Sequence, residues 1–594
     1  MQRRRVKAER LLYTISVLGL VLLTLTVIAL GVAALRGWFE ILVLTASIGV
    51  VLLAARFLRR RVPKGTVLEI DLEGGVVETA GTDPVSRAMH RNAVTVRDFV
   101  DALQRGAGDD RITGLIVRLG NAGIGVAHAQ ELRDAVHSFR SAGKRAIAFA
   151  EVLGESGPAL VDYSLAASFD EIYLQPGAIA SIEGLVARSP FLRGLFEMVG
   201  IVPDFEHREE YKSAKYLFTE IEFTEPHREV QESVAKELFS QIIDGIAADR
   251  GLHSDTVKTL VDSAPLTAEE ARTARLIDHL GHRDRAYQAA GKKFMFHDRY
   301  LRRVGRPHRK GPKIALIYGT GSIARGSSRF DPLSGGSSLG ADEVARTFRE
   351  AIDDDRVEGI VFRVDSPGGS AVASEVVGHE VVRAVEAGKP VVVSMAGVAG
   401  SGGYWISAPA TRIVAQPGTI TGSIGVVWGK LADRAAWARI GITFDQVTLG
   451  RNATFSSNRD LYTDSERRRL EVMIDDVYDT FVDHVATNRE LSPEHAREIA
   501  KGRIWTGAQA LENGLVDELG GLEQAISTVK GEVGVAPEDE VAIVVYPRER
   551  ALPLRRRKDS SEPVEVAAAL IADLFTGVSE SVSGAQARVW LPRP

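Results

Sequence analysis

Segments 245 residues apart in this chain match each other: Ile112-Thr113-Gly114-Leu115-Ile116-Val117-Arg118 with Val357-Glu358-Gly359-Ile360-Val361-Phe362-Arg363, and Ala142-Gly143-Lys144 with Ala387-Gly388-Lys389. Further on the spacing narrows to 241, pairing Tyr163 with Tyr404, Gln175-Pro176 with Gln416-Pro417 and Gly200-Ile201 with Gly441-Ile442; it ends at 239, pairing Leu276-Ile277-Asp278 with Leu515-Val516-Asp517. A self-similarity this long means one architecture built twice, so any fold proposed for one copy must also serve the other. Within each copy, short runs rich in Val and Ile alternate with helical patterns, as in 360–364, 374–386 and 390–395. That alternation predicts βαβ units around a parallel sheet, an α/β class. The matching stretches run over about 65–288 and 312–530. The domains expected are an N-terminal region at 1–61, a first repeat at 65–288, a basic linker at 289–312, a second repeat at 313–547 and a tail at 548–594.

Ahead of the repeats, residues 11–35 form an uncharged apolar run long enough to span a bilayer, and 41–55 form a second, shorter one. Both continue past any signal-peptide cleavage site, so they are expected to stay attached as one or two transmembrane helices. Arg3, Arg4, Arg5, Lys7 and Arg10 precede them; Arg56, Arg59, Arg60, Arg61 and Lys64 follow. By the positive-inside rule a hairpin keeps both ends in the cytoplasm, whereas a single span exports the body, so span number decides the side. The expected location is integral to the cell membrane, with two spans. A formal charge of -5 excludes a general nucleic-acid-binding role, and the absence of cysteine removes thiol nucleophiles and disulfides. The basic residues around 292–313 are expected in a solvated linker, with contact to anionic lipid headgroups as the functional alternative. The tail carries Arg555-Arg556-Arg557-Lys558 and an amphipathic stretch at 564–575.

The chemistry points to two turns in the second repeat. Val398-Ala399-Gly400-Ser401-Gly402-Gly403-Tyr404 follows an apolar strand. A serine flanked by glycines where a strand enters a helix is sterically open, and the helix N-terminus favours the negative charge of acyl transfer. Asp365-Ser366-Pro367-Gly368-Gly369-Ser370 also follows a strand, and its glycines can aim main-chain N–H groups into a cavity as an oxyanion hole. Either segment alone also reads as a tight βα turn.

Together, the run 365–370, Ser401-Gly402-Gly403-Tyr404-Trp405-Ile406-Ser407 and Thr421-Gly422-Ser423-Ile424-Gly425 resemble the long, duplicated form of the signal peptide peptidase A family, serine peptidase family S49, with a ClpP/crotonase-like fold. Tyr211-Lys212-Ser213-Ala214 in the first repeat resembles the segment holding that family's catalytic lysine. The resemblance implies Ser401 as nucleophile, Lys212 as general base and acid, Ser423 as the hydroxyl that orients the lysine, and Gly368 and Gly369 as oxyanion-hole positions. It further implies an endopeptidase acting on hydrophobic peptides such as signal-peptide remnants, and a ring-like homotetramer. The repeat agrees with one site per chain: the positions matching Ser401 and Ser423 are Leu160 and Ile182, and the position matching Lys212 is Ala453. An ordinary lysine is protonated at neutral pH, so a base at 212 must be desolvated and kept from carboxylates. Glu209 and Glu210 are therefore expected to face away.

Three other readings compete. A Ser-His-Asp hydrolase would recruit His484 or His495, although position 399 is Ala where the nucleophile elbow has Gly. A crotonase-like acyl-CoA enzyme or binding module would use the same glycine turns, and a silent membrane scaffold would explain the degenerate first copy. Gly319-Thr320-Gly321-Ser322 after the strand 314–318 is too weak a match to imply a dinucleotide, and no His-Glu-x-x-His occurs among the 13 histidines, so neither cofactor nor metal is expected.

Overall fold

The computed structural model describes residues 62–80, 84–120, 123–155, 157–331 and 336–547, with isolated positions between 18 and 24. Apart from those positions, the expected bilayer-spanning segments and the basic tail lie outside the described residues; among the described residues no helix is long and apolar enough to cross a membrane.

In the first repeat β1 (Thr66–Asp71), β2 (Ile112–Leu119), α1 (Val126–Ser141), β3 (Arg145–Ala150) and β4 (Glu171–Leu174) alternate as the apolar runs predict. The chain then leaves the sheet through β5 (Val202–His207) and the long helix α2 (Glu225–Arg250), returns at His279–Leu280, and closes with β6 (Lys293–Phe296) and α3 (His297–Val304). The sheet is parallel throughout, in the order His279–Leu280, β4, β3, β2, β1, β6. The second repeat retraces it with β7 (Lys313–Thr320), β8 (Val357–Ser366), α4 (Ala371–Glu386), β9 (Val391–Gly400), the one-turn helix α5 (Gly402–Trp405), β10 (Arg412–Ala415), β11 (Ile420–Gly422), β12 (Val427–Ala432), α6 (Asp464–Asn488) and β13 (Ala542–Tyr546). Here β10, β9, β8, β7 and β13 lie side by side and parallel.

The strands read as continuous apolar runs because both faces of each sheet are covered. On β8, Ile360, Phe362 and Val364 enter one core while Val361 enters another; on β9, Val391, Val393 and Met395 oppose Val392 in the same way. The first sheet divides likewise, with Leu115 and Val117 on one side and Ile116 on the other. Helix α6 starts where Thr463 and Glu466 form a reciprocal capping box.

One segment departs from expectation. Residues 289–312 are not a solvated linker: β6 pairs with β1, and Tyr300 of α3 is buried with its hydroxyl donated to Asp109 at 2.9 Å. β6 and β13 hold equivalent edge positions, but Lys293-Phe294-Met295-Phe296 and Ala542-Ile543-Val544-Val545-Tyr546 share little sequence, so self-comparison misses them. The glycine- and serine-rich stretch 326–340 contains a strand at Gly336–Gly340 that pairs with Ser322–Ala324. Ile323 bridges in turn to Gly369.

The repeats are joined by a strand pair. β5 of the first runs antiparallel to β12 of the second, from Val202 opposite Ala432 to His207 opposite Val427. Buried Asp204 on β5 fastens this ribbon to the second repeat, accepting from Tyr462 N at 2.8 Å and Arg467 Nη2 at 2.6 Å. Replacing Asp204 with Ala strands a buried N–H, and is expected to destabilise the protein by about 1–3 kcal/mol, seen as a lowered midpoint in urea unfolding.

Candidate active site

At one end of the β5–β12 ribbon the chain passes from β5 to Lys212 five residues later, while Ser423 lies just before β12 begins. Strand pairing therefore brings a lysine of one repeat to serines of the other. Lys212 Nζ lies 3.1 Å from Ser401 Oγ, 2.9 Å from Ser423 Oγ and 2.8 Å from the Ser423 carbonyl oxygen. The lysine is only 5% exposed. Burial lowers its pKa to about 7, and among the described residues no carboxylate opposes the shift. Glu209 and Glu210 are exposed to solvent.

The lysine stem fits because two glycines make room for it. A side-chain carbon on Gly502 would sit 2.6 Å from the Lys212 Cβ and backbone N, and one on Gly425 would sit 3.2 Å from Lys212 Cδ. Gly502 also adopts φ +74° and donates its N–H to the Ile424 carbonyl at 2.8 Å. Gly425 falls within a motif visible in the sequence; nothing in the sequence around Gly502 marks it.

Ser401 caps α5 at φ +54°, ψ −120°, a conformation that costs a non-glycine residue energy and turns Oγ outward. Its N–H is donated to the Gly422 carbonyl at 2.8 Å, and its carbonyl accepts from Tyr404 and Trp405 N–H. Beside it lies the second glycine turn. A side-chain carbon on Gly368, whose φ is +97°, would come within 2.6–2.8 Å of Gly402 N, Gly400 O and Ser401 Cβ. The N–H of Gly368, one of the two expected oxyanion positions, is donated to Ser366 Oγ at 3.2 Å. Gly369 N is differently placed, 3.2 Å from the point where a side chain on Gly402 would begin. Gly402 opens α5, where first-turn N–H groups have no helical acceptor. The N–H groups of Gly369 and Gly402 thus border one space beside Ser401. Gly402 is visible in the serine motif, but its position beside Gly369 is not.

The histidines of the rival triad lie elsewhere. His484 Nε2 donates to the Trp405 carbonyl at 3.0 Å and its ring stacks on Trp405, while His495 Nε2 donates to the Asn513 carbonyl at 3.2 Å. Leu160 and Ile182 of the first repeat are buried in its main core, and Ala453 of the second lies in an exposed loop.

Comparison with known proteins gives the same outline. The sequence profile of peptidase family S49 matches residues 138–295 and 383–536, the first stretch containing Lys212 and the second Ser401 and Ser423. Serine protease SPPA, chloroplastic, of Arabidopsis thaliana is 27% identical over 82% of this chain and 72% of its own length. Protease 4 of Salmonella typhi is 30% identical over 78% of each chain, and Protease 4 of Haemophilus influenzae is 28% identical over 76% of this chain and 74% of its own.

Burying an amine without a counter-ion opposes folding. The folded pKa of Lys212 lies near 7, below the ordinary lysine value of 10.5. Between those values the unfolded chain binds the extra proton, so this penalty is largest below pH 7 and fades as pH rises toward 10.5. Lys212→Met, which keeps the stem, is expected to be more stable than the wild type by roughly 3–5 kcal/mol at about pH 6, and by progressively less in alkaline buffer, in denaturant titrations.

Proposed function

The chain belongs to peptidase family S49 and is a serine peptidase; from that membership we propose that it is a membrane-anchored endopeptidase in which Ser401 is the nucleophile and Lys212 the general base. The observation that carries this reading is the 3.1 Å approach of a buried, carboxylate-free Nζ to Ser401 Oγ. A neutral amine has two hydrogens and one lone pair. With the hydrogens directed at the Ser423 carbonyl and Oγ, the lone pair is left facing Ser401, ready to take its proton as Oγ attacks the scissile carbonyl. Ser423 is thus the residue that orients the lysine. The developing oxyanion is received by the N–H groups of Gly369 and Gly402, with Gly368 acting as the tight spacer that holds them together. Lys212 then protonates the leaving amine, and a water it deprotonates hydrolyses the acyl-enzyme. Each copy is read as a ClpP/crotonase-like domain.

Hydrophobic peptides, cleaved signal peptides among them, are the substrates we assign. The ribbon leading from Lys212 and Ser423 exposes Val202 and Trp428, and Leu195, Met198, Ile440 and Val447 extend this apolar surface. The runs at 11–35 and 41–55 would anchor the body as two spans, close to the bilayer where such peptides remain.

A ring of copies, most simply a homotetramer, is the assembly proposed. Within one chain α1 of the first repeat packs on the turn after β10 of the second, where Gln130 Oε1 accepts from Gly418 N at 2.7 Å and Gln416 Nε2 donates to Asp134 at 2.9 Å. The equivalent face of α4 leaves Val372 66% and Val376 37% exposed, and the turn after β4 leaves Ile179 41% exposed. Repeating the internal contact from chain to chain would cover both ends and produce a head-to-tail ring.

With the full chain in detergent, Ser401→Ala and Lys212→Ala are expected to lower hydrolysis of a hydrophobic fluorogenic peptide by about 1,000-fold or more. His484→Gln and His495→Gln should leave the rate near that of the wild type. The wild-type kcat/KM should rise with pH through about 7 as Lys212 loses its proton. Serine-independent turnover would refute the assignment. Val372→Glu combined with Val376→Glu should release single chains in sedimentation velocity; an unchanged assembly would place the interface elsewhere.

A further inference from the structure

The degenerate first repeat contributes more than the lysine. Arg363 on β8 is fully buried, two residues before Asp365 and five before Gly368. Its guanidinium is held from the other repeat: Nε and Nη2 donate to the two oxygens of Glu78 at 2.9 and 3.0 Å, and Nη2 donates to Glu131 Oε2 at 2.7 Å. Nη1 donates to Ser394 Oγ on β9 at 2.8 Å. The second oxygen of Glu131 accepts from Leu522 N at 2.7 Å, so this carboxylate ties α1 to the second repeat at two points.

His128, in the first turn of α1, extends this cluster toward the active site. Its Nε2 lies 3.3 Å from Glu78 Oε2. The ring and Asp365 both border Gly397, where an added side-chain carbon would sit 3.4 Å from His128 Cε1 and 3.3 Å from Asp365 Oδ1. Asp365 stands where the register between β8 and β9 shifts, and its Oδ1 accepts the N–H of Val398, three residues before Ser401, at 3.0 Å. Its carbonyl accepts from Gly321 N at 2.8 Å. One residue therefore braces both the start of the glycine turn, through its carbonyl, and the end of the strand that delivers the serine, through its carboxylate. The charged groups facing His128 are Glu78, Asp365 and Arg363. Burial disfavours the imidazolium, but the two carboxylates outweigh it and hold the histidine pKa above its ordinary value.

We propose that Glu78 and His128 of the first repeat are positioning residues for the oxyanion turn of the second, fixing Arg363 and Asp365 and through them the N–H of Gly369 relative to Ser401. The inference rests on the assignment of Ser401 and Gly369 above. A buried arginine with paired carboxylates is rigid because every alternative leaves an ion unsatisfied. Rigidity matters here because an oxyanion donor works only when it is aimed before the charge develops. With His128 charged, it offsets the carboxylates of both Glu78 and Asp365; once neutral, it no longer offsets Asp365, which loosens its hold on Val398. Activity therefore depends on a group that must be protonated, besides the lysine that must not be.

The test compares two reversible inhibitors of one hydrophobic peptide sequence on the full chain in detergent. A C-terminal aldehyde forms a hemiacetal with Ser401, whose oxygen occupies the oxyanion site; the corresponding alcohol binds without one. Glu78→Gln and His128→Gln are expected to weaken the aldehyde about 10-fold or more, to leave the alcohol unchanged, and to lower kcat with little change in KM. In His128→Gln the alkaline fall of the wild-type pH profile should be absent, while the rise through the lysine remains. This second variant keeps Arg363 paired with Glu78, so it serves if Glu78→Gln does not fold. Equal weakening of both inhibitors, or of neither, overturns the proposal while wild-type hydrolysis that disappears in Ser401→Ala leaves the catalytic assignment standing. A wild type that the aldehyde does not inhibit, and whose turnover survives Ser401→Ala, overturns that assignment instead.

Discussion

A lysine amine held in a dry cleft with no carboxylate beside it is the constraint to which the surrounding structure answers. Among the described residues, Lys212 Nζ has only hydroxyl and carbonyl oxygens of Ser401 and Ser423 within hydrogen-bonding distance. Its stem lies between Gly425 and Gly502, and a side chain on Gly502 would collide with it. Such a site cannot stabilise itself, because desolvating an amine and holding Ser401 at positive φ both oppose folding. The stabilisation comes from the two doubly covered sheets and from the ribbon that crosses between them.

The boundary between the repeats handles buried charge in two opposite ways. At Lys212 the carboxylates are kept away, and the charged form is penalised. At Arg363 two carboxylates are brought in, and the charged form is secured. The sites lie at opposite ends of the same motif-bearing segments, so one boundary supplies both a group able to give up its proton and a scaffold that cannot. The first repeat thereby serves chemistry it could not carry out alone.

What the sequence disclosed, and what it did not, follows from which residues the copies needed to share. Tyr163 and Tyr404 donate to the carbonyls of Leu276 and Leu515 at 2.7 and 2.9 Å; Asp278 and Asp517 accept the strand N–H groups of Ile172 and Ile413. Lys144 and Lys389 each gather carbonyls at the start of a strand. These buried polar contacts are demanded by the fold in both copies, which is why self-comparison finds them and why the α/β class and the sheet strands could be read in advance. β6 and β13 escaped because an edge strand asks only for extended, half-buried residues. Ser401 and Lys212 were legible through motifs, whereas Gly502 and the cluster around Arg363 were not. Their roles arise from contacts with residues more than 200 positions away, such as the approach of Glu78 to Arg363, and no local pattern records such a meeting.

Leu160 and Ile182, which occupy in the first repeat the places of Ser401 and Ser423, are sealed into its main core. Duplication is often pictured as leaving a spare, a second copy from which a lost activity might be revived. Here the vacated positions have become hydrophobic filling. Restoring hydroxyls there would open a hole in the core and bury polar atoms in it before any chemistry could return. The specialisation of the two halves works as a ratchet whose pawl is packing.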